Sequence, residues 1–160
     1  MQDTNTNQLR WLYLTVIIII LDQLSKWLVS HYLTLNQPVE VLPVFNLLFM
    51  QNTGAAFSFL RDAGGWQRWL FILIAVGISA IILRALHKCS RNDNISACAM
   101  ALILGGALGN LYDRAVLGYV VDFISLHAGT WYFATCNIAD TAITFGVIIW
   151  LCVAWRKEKI

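Results

Sequence analysis

Charge is scarce in this chain: Asp, Glu, Lys and Arg supply 12% of its 160 residues, against 59% for hydrophobic types. Soluble domains carry about twice that share of charge, so a water-soluble fold is excluded, and a mean hydropathy of +0.65 agrees. The small net charge of +2 forms no basic patch, so no nucleic acid partner is expected. Cys89, Cys98, Cys136 and Cys152 contain neither C-x-x-C nor a Cys/His spacing suited to zinc, and Cys98 and Cys152 stand in apolar runs as small hydrophobes. No disulfide framework, metal site or cofactor is expected. His31, His87 and His127 are scattered without H-E-x-x-H or H-x-x-E-H, and are expected to be solvated surface residues. Proline is rare too, and both copies, Pro38 and Pro43, fall in one stretch.

What the chain does have is long apolar runs. At ~20 residues per membrane-spanning helix, the length accommodates about four spans and no separate soluble domain. The runs predict spans at about 9–30, 66–86, 96–116 and 137–155 within one membrane domain over 1–160, leaving segments 31–65 and 117–136 outside. The first run continues past Asp22 through Leu24, Trp27 and Val29 with no A-x-A-like signal, which argues against a cleaved leader. Ser79, the polar residue within the second span, is expected to be a packing residue.

Segment 31–65 loses helical periodicity. Val39 to Leu42 and Phe45 to Gln51 are β-prone runs divided by Pro43, and Asn52-Thr53-Gly54 is a turn signal ahead of Ala55 to Phe59. A small sheet on the membrane surface is expected, with Phe45, Leu47, Phe49, Phe57 and Phe59 on its apolar face. After the third span, Gly118 breaks the helix, Tyr119 to Ile124 carries Asp122 in an apolar run, and Ser125 to Thr130 reads as a short polar loop.

Basic residues set the topology. Arg10, the group from Arg84 to Arg91, and Arg156, Lys157 and Lys159 flank span ends on one side, which the positive-inside rule makes cytoplasmic, so both termini are expected inside. Every unusual polar residue then falls at the outer leaflet. Asp22 and Lys26 share a face of the first helix at i, i+4. Asn110, Asp113 and Arg114 share a face of the third. Asp122 lies in the outer loop, and Asn137, Asp140, Thr141 and Thr144 form a stripe on the fourth. An Asp or Arg deep in a span costs ~2.5–3.5 kcal/mol on insertion scales, so this convergence points to function.

Two carboxylates in a poorly solvated place share a proton, one acting as base and the other as acid. That is the logic of an aspartic protease, and Asp122 with Asp140 is the best pair. Asp113 is set aside because Arg114 beside it would hold it ionised. Asn52, Asn110 and Asn137 can donate amide hydrogen bonds to substrate or orient the acids, and Arg114 can hold the helix end or an anionic group. A different class is a small membrane transporter or proton channel using intramembrane acids, with Asp22 and Lys26 as a gate; it requires charges spread across the membrane depth, and the inner halves of the second and fourth spans carry essentially none. A presenilin-like protease is a weaker match, since that class wants Gly-x-Gly-Asp where this chain reads Asn137-Ile138-Ala139-Asp140.

Five boxes now line up: Asp22-Gln23-x-x-Lys26; Asn52-Thr53-Gly54-Ala55-Ala56-Phe57-Ser58; Gly105-Gly106-Ala107-x-Gly109-Asn110-x-x-Asp113-Arg114; Gly118-x-Val120-Val121-Asp122-Phe123; and Asn137-x-Ala139-Asp140. In order and content the set resembles lipoprotein signal peptidase, or signal peptidase II. Where that family usually has an aromatic residue before the last Asn, this chain has Cys136, a departure expected to affect only packing near Asn137. The resemblance implies a polytopic all-α protein of the bacterial inner membrane, with four transmembrane helices and a small periplasmic β-sheet and extramembrane helix. It implies an aspartyl endopeptidase that removes the signal peptide from diacylglyceryl-modified prolipoproteins, cutting before the lipidated cysteine, with the active site at the periplasmic leaflet. By the same resemblance Asp122 and Asp140 would be catalytic, Asn52, Gly54, Asn110, Arg114 and Asn137 would line the site, and Asp22 and Lys26 would support it. Expected partners are the prolipoprotein substrates, membrane lipid and globomycin-type inhibitors.

Overall fold

The computed structural model describes residues 8–54 and 64–158. Four apolar helices long enough to cross a membrane dominate it: α1 (Leu12–Tyr32), α2 (Trp66–Lys88), α3 (Asn94–Val116) and α4 (Ile138–Glu158). Four strands, β1 (Pro38–Leu42), β2 (Phe45–Asn52), β3 (Val120–Ala128) and β4 (Trp131–Tyr132), form one sheet in the order β1-β2-β3-β4, each neighbouring pair antiparallel. Among the described residues the only helical piece outside the four long helices is a 3-10 turn, Leu9–Trp11, that leads into α1. The run Ala55 to Phe59, with Phe57 and Phe59 of the expected apolar face, lies outside the described residues.

Helix α3 is the axis of the bundle and packs against the other three. Its sequence explains the position, because small residues replace bulky ones where neighbours approach. A Cβ on Gly105 would meet Ile18 Cβ at 2.8 Å, and one on Gly106 would collide with the carbonyl oxygen of Ala139. From the α4 side, a Cβ on Gly146 would stand 2.8 Å from the Ala99 carbonyl oxygen. Helix α3 is consequently buried over most of its apolar length, while α1, α2 and α4 turn most of theirs outward, as lipid solvent permits. A second apolar cluster, Val29, Phe49, Val121 and Phe123, seats the sheet on the end of α1.

The two ends of the bundle differ in chemistry. At one end the buried Gln8 amide donates to the carbonyls of Ser90 and Arg91, and Arg10 donates to Asn94 Oδ1 at 2.7 Å, tying the start of α1 to the α2–α3 turn. Arg156 on α4 lines a groove with Ile95 at this same end. The sheet sits at the opposite end.

Three expectations change. The stretch Ser125 to Ala128 is the second half of β3 rather than a polar loop, with Ser125 buried opposite Asn46 of β2. Helical periodicity cannot reveal such a strand, and burial on both faces from Val120 to Phe123 erases the alternation that marks half-buried strands. The apolar face of β2 is also interrupted: a register shift between Leu47 and Met50 leaves Phe49 buried and Phe45 and Leu47 only partly so. His127 is not a solvated surface residue but half-buried and stacked on Tyr132, ring centroids 5.1 Å apart, whereas His31 and His87 are exposed. Ser79 is buried within α2.

The close approach at Gly106 predicts that Gly106→Val overpacks the α3–α4 contact and destabilises the protein by about 1–3 kcal/mol. A lowered unfolding temperature in detergent is expected. Gly77→Ala, within α2 and with nothing within 4 Å of an added Cβ, should not lower that temperature.

Candidate active site

Two aspartates from different elements are brought together at the junction of bundle and sheet. Asp122 stands on β3 and is 1% exposed; Asp140 occupies the first turn of α4. Both line one cavity of about 320 Å³ with Asn52, Asn110, Arg114, Cys136 and Thr144.

Three asparagine amides define how the acids are held. Asn137 donates to Asp122 Oδ1 at 2.7 Å, while its own Oδ1 accepts the Asp140 backbone N–H at 2.8 Å. The second bond is an N-cap, satisfying one of the free N–H groups at the start of α4. One side chain thus orients the first acid and opens the helix that carries the second. Asn52 donates to Asp122 Oδ2 at 2.9 Å and accepts the Gly54 N–H, so it is a turn residue and a site residue at once. Asn110 donates to Asp140 Oδ1 at 2.7 Å. Arg114 reaches the Gly54 carbonyl oxygen at 3.3 Å and lies over the Phe71 ring, fixing the end of β2 against α3.

Beneath this layer lies a buried ion triad. Lys26 Nζ is 2.7 Å from Asp22 Oδ2 and 2.9 Å from Asp113 Oδ2, with all three side chains at 3% exposure or less. Gln23 spans the two acids, donating to Asp22 at 3.1 Å and to Asp113 at 2.9 Å. Each of these carboxylates also accepts a backbone N–H immediately ahead of a cavity aspartate: Asp22 takes that of Ala139, and Asp113 that of Val121. Lys26 further donates to Asn110 Oδ1 at 2.9 Å. A cation at that oxygen leaves only the amide nitrogen to face Asp140, so Lys26 fixes the orientation of Asn110. Gly109 makes room for the triad, since a Cβ there would stand 2.6 Å from Asp22 Oδ2.

Asp113 is the residue whose role the sequence left obscure. It is ionically paired, but with Lys26 across the α1–α3 contact rather than with Arg114 beside it in the chain. Neighbours at i, i+1 on a helix point to different faces, which is the signal that could have redirected the expectation. Gln23 was likewise visible only as part of a motif. Cys136 is closer to the site than expected: its carbonyl accepts from Phe123 and Ile124, its N–H returns a bond to Ile124, and it lines the cavity.

Burial pushes the Asp122 carboxyl up to about 7, and the negative charge of Asp140 acts in the same direction. The amide bonds from Asn52 and Asn137 and the charge of Lys26 oppose the rise. Asp122 therefore holds its proton near neutrality, which a carboxyl in water does not. Among the described residues no three His, Cys, Asp or Glu side chains are grouped to hold a metal.

With this geometry in view, a sequence profile described as Signal peptidase (SPase) II matches residues 14–156. The chain belongs to the signal peptidase II family. It is 49% identical over 161 residues to the lipoprotein signal peptidase of Pseudomonas syringae pv. tomato, covering 99% of this chain and 93% of that protein. It is 50% identical to that of Yersinia enterocolitica, covering 88% and 83%. A solved bacterial membrane enzyme structure superimposes with a TM-score of 0.83 at 30% identity, covering 94% of this chain and 89% of the other. The family's members are peptidases, so the transporter or channel reading is not favoured.

The ion triad predicts a large effect from one substitution. Lys26→Met leaves two buried carboxylates without their cation, and a loss of about 3–5 kcal/mol is expected. The unfolding temperature in detergent should drop sharply, and adding Asp113→Asn to that variant should recover part of it.

Proposed function

We propose that the chain cleaves the signal peptide from diacylglyceryl-modified prolipoproteins just before the lipidated cysteine, with Asp122 and Asp140 as the catalytic dyad. The observation that carries this reading is the shared cavity in which both acids stand, each fixed by an asparagine amide, with Asp122 titrating near 7. The substrate class is drawn from the relatives, which are named lipoprotein signal peptidases.

The chemistry follows from one proton on two acids. The ionised carboxylate takes a proton from a water molecule as that water attacks the scissile carbonyl carbon, while the protonated partner donates to the carbonyl oxygen. Collapse of the tetrahedral intermediate returns a proton to the departing amine and restores the singly protonated pair. Asn52 and Asn137 hold both oxygens of Asp122. Fixing the acids in advance removes reorganisation from the barrier. Arg114 and Asn110 border the same cavity, placed to contact substrate backbone.

The placement in the cell is part of the proposal. The basic residues Arg10, Arg91 and Arg156 gather at the end of the bundle remote from the dyad, which the positive-inside rule assigns to the cytoplasm. The sheet and the dyad then face the periplasm at the outer leaflet of the bacterial inner membrane, with both termini cytoplasmic. A lipidated cysteine would reach the dyad there with its acyl chains still in lipid. Globomycin-type cyclic peptides are expected inhibitors through the family resemblance.

Cleavage of a diacylglyceryl-modified prolipoprotein peptide in detergent tests this directly. The wild type should cut it and spare the unlipidated peptide, and Asp122→Asn or Asp140→Asn should lower kcat by at least about 10²–10⁴-fold. A folded Asp140→Asn protein that cuts normally would remove Asp140 from the dyad.

A pH profile gives a second check. Below about 7 Asp122 keeps its proton, and above that value the proton is lost. The working pair needs one proton, so kcat/KM should fall as pH rises through the alkaline limb. Asn52 favours the ionised form, so Asn52→Ala should move that limb to higher pH.

A further inference from the structure

A second cavity, of about 340 Å³, adjoins the dyad cavity on the sheet side and shares with it Asn52, Asp122, Ala134 and Thr135. Its remaining walls are Leu48, Met50 and Gln51 of β2, Ser125 of β3, and Tyr132 and Phe133. We propose that this second cavity binds the polypeptide that follows the scissile bond, held as an extended strand; the inference rests on the peptidase reading above.

Direction comes from the two sets of walls. The dyad cavity is bounded by Asn110 and Arg114 of α3 and by Ile143 and Thr144 of α4, so it opens along the bundle. An apolar signal segment belongs in the bilayer with the bundle, and it enters from that side. Asp122 lies at the junction of the two cavities, so a chain whose scissile bond sits at the dyad continues onto the sheet side. There the wall follows β2 from Asn52 back to Leu48, about 13 Å of strand at ~3.3 Å per residue, room for roughly four extended residues, the cysteine and about three beyond it.

The lining specifies the kind of recognition. Leu48, Met50, Tyr132 and Phe133 are apolar or amphipathic, Gln51, Ser125 and Thr135 are uncharged, and Asp122 is the charged member. With no other ion-pairing side chain among the described residues of its wall, the cavity recognises the extended backbone and its width.

The test compares two diacylglyceryl-modified peptides with the same signal segment. One ends as an amide at the cysteine, and the other continues for three residues. For the wild type, kcat/KM should be about tenfold higher on the longer peptide. Leu48→Trp, which fills the cavity away from the dyad, should bring the ratio of longer to shorter close to one; Leu48→Phe carries the same test at smaller bulk if the tryptophan variant does not accumulate. Equal rates for the wild type on both peptides, or a ratio unchanged in the folded Leu48 variants, would overturn the inference and leave the peptidase reading intact. Failure of the wild type to cut either peptide would overturn both.

Discussion

A single ammonium group, Lys26 Nζ, holds the site together. It lies between Asp22 of its own helix and Asp113 of α3, and those two acids take the backbone N–H groups that precede Asp140 and Asp122. A buried triad of this kind is weak support for stability, because desolvation offsets much of the attraction. Its return lies in position. Helix α1, helix α3, the start of α4 and strand β3 are registered against one charge, and Asn110, whose amide bonds Asp140, is oriented from the same point.

Small residues make this possible. Charges can be buried in a membrane bundle only where backbones come close enough to complete their hydrogen bonds. Gly109 admits Asp22, and Gly106 admits the first turn of α4. The sheet completes the site from above, contributing Asp122 and Asn52 on adjacent strands. A helical bundle alone could present Asp140, Asn110 and Arg114, but not a second acid opposed to the first.

The sequence made much of this legible. Hydropathy exposed the four apolar helices, since spans of ~20 residues cannot be hidden. The i, i+4 spacing of Asp22 and Lys26 and the i, i+3 spacing of Asn110 and Asp113 put the polar groups on shared faces. What stayed hidden depends on contacts between distant segments. The i, i+1 spacing of Asp113 and Arg114 argues against their pairing, but nothing in the local sequence names Lys26 as the partner of Asp113, or says that Asn137 caps the helix bearing Asp140 while bonding Asp122. Strand β3 was hard to follow to its end because both of its faces are buried where it carries the acid. The half-buried His127 depends on Tyr132, five residues away across a hairpin that composition does not announce.

The account stands or falls on one proton shared between Asp122 and Asp140. Isotope-edited infrared titration of the protein with labelled aspartate reads it directly, with the Asp122→Asn/Asp140→Asn double variant as reference. A protonated carboxyl band that fades as pH rises through about 7 and is missing from the double variant is the expected result. If wild type and double variant give the same spectrum above about pH 5, both acids are ionised at rest and the shared-proton mechanism is wrong.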